Sequence, residues 1–168
     1  SYPIPGIIIP PWLAEGTAQF MYPGANFDFL DSHRDMIIRD RVLNNNLLTF
    51  SQMNSFGKKG IGNESTYNQG FSFVSWLANN FGNDINKRIS VEISKPFQFS
   101  ISNALKKATG VSGNNLYQSW VNDISLDYIR RTEKIIKNEI KGEIIEDIGG
   151  VNLYPTWSPN NKKYAFLS

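Results

Sequence analysis

The sequence predicts a mainly α fold that ends in a short β-hairpin, and three features carry that expectation. Tyr67, Gly70, Phe71, Val74, Leu77, Ala78 and Phe81 recur at helical spacing up to Gly82, which is one apolar helix face closed by a glycine cap. Tyr117, Trp120, Val121, Ile124 and Tyr128 trace a second such face after Ser112. Beyond Lys134 the texture changes to β-branched residues and turn formers, with Gly142, Ile144, Ile145, Ile148, Gly149, Gly150 and Val151. The change divides the chain into a helical part, residues 1–133, and a linker with paired strands, residues 134–168.

The elements follow in order from their punctuation. Pro10 and Pro11 precede residues 12–20, and proline suits a first helical turn because its missing N–H would have had no partner there. This helix is predicted to end between Tyr22 and Gly24. A second follows Asp31 through Arg34, Ile38 and Val42 to the break at Asn44, Asn45 and Asn46. Thr49 caps a short turn with Phe50 and Met53. The third and clearest helix starts at Ser65 or Thr66. Gly70 in its interior is costly unless another helix approaches closely, so tight packing is expected there. Ile85, Ile89 and Ile93 predict a helix stopped by Pro96, and Ala104, Leu105 and Ala108 a shorter one stopped by Gly110. At the end, Pro159, Asn160 and Asn161 separate two short strands, a hairpin that would be only marginally stable alone.

Composition narrows the function. With 40% apolar and 19% charged residues in 168, the chain is globular in composition. Its net charge of +2 is spread without a basic stripe, which argues against nucleic acid as a partner. The absence of cysteine excludes disulfides and thiolate chemistry. No apolar run approaches the roughly 18 residues of a transmembrane helix. The glycines at Gly57, Gly60 and Gly62 flank lysines without forming a phosphate-binding GxxxxGK[ST] loop. The opening SYPIPGIIIPPW has neither an initiator Met nor a signal peptide, and it reads as starting mid-protein.

Two residues stand out for chemistry. Glu15 lies on the first helix with Trp12 three before it, Ala18 three after and Tyr22 seven after, so its carboxylate shares a largely apolar stripe. A carboxylate so placed needs a partner, which can be a metal, an arginine such as Arg34 or Arg39, or backbone N–H groups. Tyr67 opens the strongest helix, where its ring can pack while its hydroxyl reaches a cleft. A buried hydrogen-bonded core tyrosine is the plainer reading.

The segment Trp12-Leu13-Ala14-Glu15-Gly16-Thr17-Ala18 resembles the W-x-x-E-G-x-A motif of gluzincin zinc peptidases. About fifty residues on, Tyr67-Asn68-Gln69-Gly70-Phe71 resembles the Y-x-K-G-x segment of their aminopeptidase-N-like branch. The stretches PPWLAEG and YNQGFSFV look closest to the peptidase-MA-like domains of exported bacterial proteins. The final segment, with Pro155, Trp157, Ser158, Pro159 and Tyr164-Ala165-Phe166, resembles the repeat phrase of a TolB-like β-propeller, with Asn160-Asn161 where Asp-Gly is usual. The resemblance implies the helical C-terminal subdomain of a gluzincin peptidase, followed by the first strands of a propeller.

By that resemblance Glu15 is the third zinc ligand and Tyr67 the donor to the oxyanion, a contribution typically worth roughly 2–4 kcal/mol of barrier. Zinc would also need the two histidines of an HExxH helix, whose glutamate acts as general base. His33 is the chain's one histidine and follows Glu15. Beside Asp31, Arg34 and Asp35 it reads as a structural surface residue. The HExxH helix is therefore expected upstream in the same protein, so that this chain alone is inactive; the alternative is a relative that abandoned catalysis. Arg34, Asp35 and Arg39 are candidates for orienting Glu15 or contacting a substrate carboxylate, with a salt-bridged helix surface as the plainer reading. Glu64 is a candidate substrate ligand or a capping residue. Trp12, Phe20, Phe71 and Val74 are expected to form an exposed apolar edge where the missing helix would pack. The partners implied are that upstream segment and a peptide or protein substrate, and the implied location is exported, periplasmic or at the cell envelope. The competing class is a non-catalytic binding or scaffold module associated with a propeller.

Overall fold

The computed structural model describes residues 9–22, 31–57, 63–145 and 151–167. The chain divides into two compact units, Ser1–Glu133 and Lys134–Ser168. Among the described residues there are six α-helices and one two-stranded sheet. Gly24, the expected end of the first helix, Gly60 and Gly62 of the glycine–lysine stretch, and Ile148, Gly149 and Gly150 of the composition change lie outside the described residues.

Helix α1 (Pro11–Met21) starts on its prolines, with Pro10 O accepting from Leu13 N and Ala14 N at 3.0 and 3.1 Å. Helix α2 (Ser32–Leu43) is capped by Asp31, whose Oδ1 accepts from His33 N at 2.9 Å and Arg34 N at 3.4 Å. A 3₁₀ turn, Gln52–Asn54, is stapled reciprocally. Thr49 Oγ1 accepts from Gln52 N at 3.2 Å while Gln52 Oε1 accepts from Thr49 N at 2.9 Å. Helix α3 (Glu64–Phe81) ends at Gly82 with φ +94°. Helices α4 (Ile85–Ile93), α5 (Ile101–Thr109) and α6 (Gly113–Lys137) complete the helices. Gly110, at φ +85°, terminates α5 in the left-handed conformation open to a residue without Cβ.

An aromatic cluster fills the core of the helical unit. Trp12 and Phe73 are 5.0 Å apart between ring centroids, Phe73 and Trp120 5.5 Å, and Tyr117 and Trp120 5.4 Å. Trp12, Phe73, Val74, Leu77 and Trp120 are completely buried. The Trp12 indole N–H, which would otherwise be stranded in this core, donates to Asn54 Oδ1 at 3.2 Å. A smaller cluster of Ile38, Val42 and Tyr128 joins α2 to α6.

Two segments are fixed by side chains rather than by neighbouring strands. Buried Gln69 accepts from Leu48 N at 2.7 Å and donates to Leu48 O at 3.1 Å, as a strand partner would. Tyr117 OH also donates to Leu48 O. Arg88 donates to Ala108 O and Phe81 O, placing a cation at the carbonyl ends of both α3 and α5.

The expected apolar edge is not there. Trp12 and Val74 are fully buried, Phe71 is 6% exposed and Phe20 is half-buried. The cover for Trp12 comes from Phe50, Phe73 and the 3₁₀ turn of this same chain. The exposed large apolar residues of the helices lie elsewhere, for example Leu126 and Ile129 on α6. No helix among the described residues is long and apolar enough to cross a membrane.

In the second unit, β1 (Leu153–Trp157) pairs antiparallel with β2 (Tyr164–Leu167). The register pairs Leu153 with Leu167 and Trp157 with Tyr164, with an irregularity between Leu153 and Thr156. The connection closes through Asn161 N donating to Ser158 O, and Ser158 N donating to Lys163 O, both at 2.8 Å. Asn161 takes φ +54°, a left-handed conformation that asparagine tolerates.

Candidate functional site

The two motif helices cross on their glycines. A Cβ built on Gly16 of α1 would stand 2.4 Å from Gly70 O, and one built on Gly70 of α3 would stand 2.5 Å from Trp12 O. Neither position has room for a side chain, so the helix backbones touch. Glu15 lies immediately before one glycine, and Tyr67 one turn before the other. The crossing therefore fixes their separation through main chain rather than through long side chains.

At this crossing Tyr67 lies close enough to Glu15 for the carboxylate to act on its phenol. Burial raises the Tyr67 pKa above its ordinary value, and the negative charges of Glu15 and Glu64 push in the same direction. Tyr67 is thus held as a neutral phenol, able to donate. Phe56 stacks on its ring at 5.9 Å with an interplanar angle of 25°, which restrains the ring direction.

Beside Tyr67 lies Asn68, completely buried. Its Oδ1 accepts from Arg34 Nη1 at 2.8 Å and its Nδ2 donates to Glu64 Oε2 at 3.3 Å. Arg34 Nε is also 3.5 Å from Asp31 Oδ2. With the Gln19 amide oriented to pair acceptor with donor, its oxygen accepts from Arg34 Nη1 and Nη2 at 3.2 Å. Arg34 and Glu64 are in this way connected to the helices that carry Glu15 and Tyr67.

Asp35 and Arg39 lead away from Glu15, towards α6. Asp35 Oδ2 accepts from Arg39 Nη1 at 2.8 Å and Arg131 Nη2 at 3.1 Å, while its Oδ1 accepts from Arg131 Nη1 at 2.9 Å and Tyr128 OH at 3.2 Å. Burial, with the Asp35 charge and hydrogen bond behind it, pushes the Tyr128 phenol up to about 12. Arg131 lies 5.0 Å over the same ring. These contacts are those of a hub that fastens α2 to α6.

His33 is exposed on the first turn of α2. Among the described residues no three His, Cys, Asp or Glu side chains converge as a metal-ligand group. The Glu15 carboxylate, half-buried and offering about four lone-pair sites, would fit zinc as one donor of a tetrahedral set. The remaining donors of such a set would have to come from residues beyond those described.

Asn68 and Gln69 were not singled out from sequence. Both are amides at buried positions of an otherwise apolar helix, immediately before Gly70. An adjacent amide pair beside a close-packing glycine is the one local sign that they are held inside rather than solvated. No family model matches the chain, and no curated protein or solved structure matches it.

Proposed function

We propose that this chain supplies one half of a gluzincin-type zinc peptidase site, with Glu15 as the third protein ligand of the metal and Tyr67 as the oxyanion donor. The two histidines and the general-base glutamate would come from an HExxH segment of the same protein. The observation that supports this reading is the meeting of Tyr67 with Glu15 across the Gly16–Gly70 crossing. Two separate motifs that resemble gluzincin segments converge at that crossing. A lone packing tyrosine and a lone helix carboxylate would have no need to meet.

In this reading zinc supplies a bound water of near-neutral pKa as the nucleophile towards a peptide carbonyl. Glu15 contributes a half-buried carboxylate on a backbone-locked helix. Tyr67 contributes a phenol hydroxyl, which can act as a hydrogen-bond donor. The helical unit by itself is expected to show no turnover. Residues 134–168 would be the linker and first strands of a TolB-like propeller, in an exported protein acting on peptides or proteins.

The test is zinc content and peptide hydrolysis in the protein with its HExxH segment present, compared with Glu15→Ala and Tyr67→Phe. One zinc per chain, lost in Glu15→Ala, with zinc kept but turnover reduced roughly a hundredfold in Tyr67→Phe, supports the assignment. A protein carrying that segment with neither zinc nor turnover refutes it and leaves a peptidase-derived module that binds rather than cuts.

A further inference from the structure

Helices α4 and α5 form a hairpin whose tip presents the two most exposed aromatic rings among the described residues. α4 ends at Ile93 and α5 begins at Ile101. In the turn between them Phe97 is 90% exposed and Phe99 76%, while Gln98 between them is buried. Gln98 N donates to Lys95 O at 3.2 Å, which closes the turn beneath the rings. Phe97 takes φ +63°, a left-handed conformation that is sterically unfavourable for a bulky residue. The chain therefore sustains local strain at the residue whose ring it exposes most, and strain of this kind gathers at segments that make functional contacts.

The same hairpin concentrates positive charge. Residues 85–109 contain Lys87, Arg88, Lys95, Lys106 and Lys107 against the single carboxylate of Glu92, a local charge of +4 in a chain whose total is +2. Folding gathers this charge, because Lys87 of α4 and Lys107 of α5 line one groove together with the exposed Val91. Lys87 and Val91 stand one turn apart on α4, and the stripe they begin leads on to Lys95 at the turn. Two of the cations are already engaged. Arg88 pairs with Asp84, just ahead of α4, at 3.1 Å, and Lys95 pairs with Glu92 at 2.6 Å. Among the described residues no carboxylate pairs with Lys87, Lys106 or Lys107, and all three are exposed.

Exposed rings on a protruding turn, backed by unpaired lysines, meet the two demands of an anionic lipid surface. Rings gain by leaving water at the headgroup boundary, and lysines gain from the negative surface potential while their stems cover apolar area. One such signal alone holds a protein only weakly, and the hairpin carries both. We propose that the α4–α5 hairpin is a peripheral membrane-binding element, which inserts Phe97 and Phe99 at the headgroup boundary of an anionic bilayer and sets Lys87, Lys106 and Lys107 against its phosphates. The element makes no use of Glu15 or Tyr67, so it stands or falls separately from the zinc site.

The experiment is flotation of the full chain on a density gradient with vesicles of phosphatidylcholine alone, or of phosphatidylcholine mixed equally with phosphatidylglycerol, at low salt. The chain is expected to float with the anionic vesicles and not with the neutral ones. Phe97→Asn combined with Phe99→Ser should weaken that association at least about tenfold, and the asparagine tolerates the positive φ that the turn requires. Lys87→Gln combined with Lys107→Gln should weaken it roughly tenfold, and added salt should act in the same direction. The chain has no cysteine, so Phe99→Cys can carry a single environment-sensitive fluorophore, whose emission should shift to the blue on the anionic vesicles. A wild-type chain that does not float with anionic vesicles would overturn the proposal and leave the rings for a protein partner. Association unchanged in either double variant, with circular dichroism showing it folded, would overturn it as well, as would a fluorophore that stays in water.

Discussion

The helical unit and the terminal hairpin contain similar side chains and use them differently. Trp12 and Trp120 of the helices are fully buried, whereas Trp157 of the hairpin is 57% exposed and Tyr154 74% exposed. The contrast does not come from composition. Helices that cross at glycines enclose volume between them, and rings such as Phe73 are surrounded on all sides. Two strands make a single layer, so a ring on either face meets its cross-strand neighbour, as Trp157 meets Tyr164 at 5.6 Å, and little else. Aromatic residues become a core only where a second layer can close over them.

The sharpest way to break that comparison is to delete one ring from each unit. Trp120→Ala should lower the unfolding free energy of the helical unit by about 3–5 kcal/mol, because its indole is completely buried among Phe73 and Tyr117. Trp157→Ala, made in parallel, should change the same unfolding transition by no more than about 0.5 kcal/mol. Urea denaturation followed by far-ultraviolet circular dichroism measures both. Equal effects would show that the hairpin rings carry as much stability as the core.

A smaller loss is expected at the crossing. Gly70→Ala places a methyl 2.5 Å from Trp12 O, a main-chain atom that can yield only if α1 moves. The cost should be about 1–3 kcal/mol, at a helix position where alanine is intrinsically favoured over glycine. A stabilised Gly70→Ala in the same urea experiment would mean that the helices are not in backbone contact.

The mildest effect should appear only in alkali. Burial pushes Tyr117 up to about 12, and burial with the Asp35 charge and hydrogen bond does the same to Tyr128. Both values are raised above that of an unfolded tyrosine near 10. The folded state therefore holds these protons longer, and the stability they contribute is complete below pH 10 and is lost as pH rises towards 12. Melting temperatures measured from pH 9 to 12 should decline over that window. The decline should flatten in a Tyr117→Phe, Tyr128→Phe double variant.

Local signals made most of the helices legible. Pro10 and Pro11, Gly82 and Gly110 stand where chain geometry requires a start or a stop, and the helices begin and end beside them. Gly70 announced a close approach that its neighbourhood provides. Partners far away in sequence were not legible. Arg131 comes to Asp35 from 96 residues away, so from sequence Asp35 and Arg39 could be offered as companions of Glu15, with a salt-bridged surface as the plainer reading, but their link to α6 could not be read. The burial of Trp12 was misjudged for the same reason, since its cover arrives from Phe50 and Asn54 rather than from an adjoining stretch. Glu15 and Tyr67 could be named as candidates from motifs, but the burial of Asn68 between Arg34 and Glu64 depends on which side chains surround it, and residue type alone does not encode that.

The paired glycines have a consequence for heredity. Gly16 and Gly70 each occupy space that the other helix's backbone denies to any side chain, so a substitution at either position acts on the same crossing. A lineage that replaces either glycine must spread α1 from α3, and the distance it alters is the one between Glu15 and Tyr67. Change at this crossing is thereby tied to the Glu15–Tyr67 spacing, while Leu126 and Ile129, facing outward on α6, carry no such constraint.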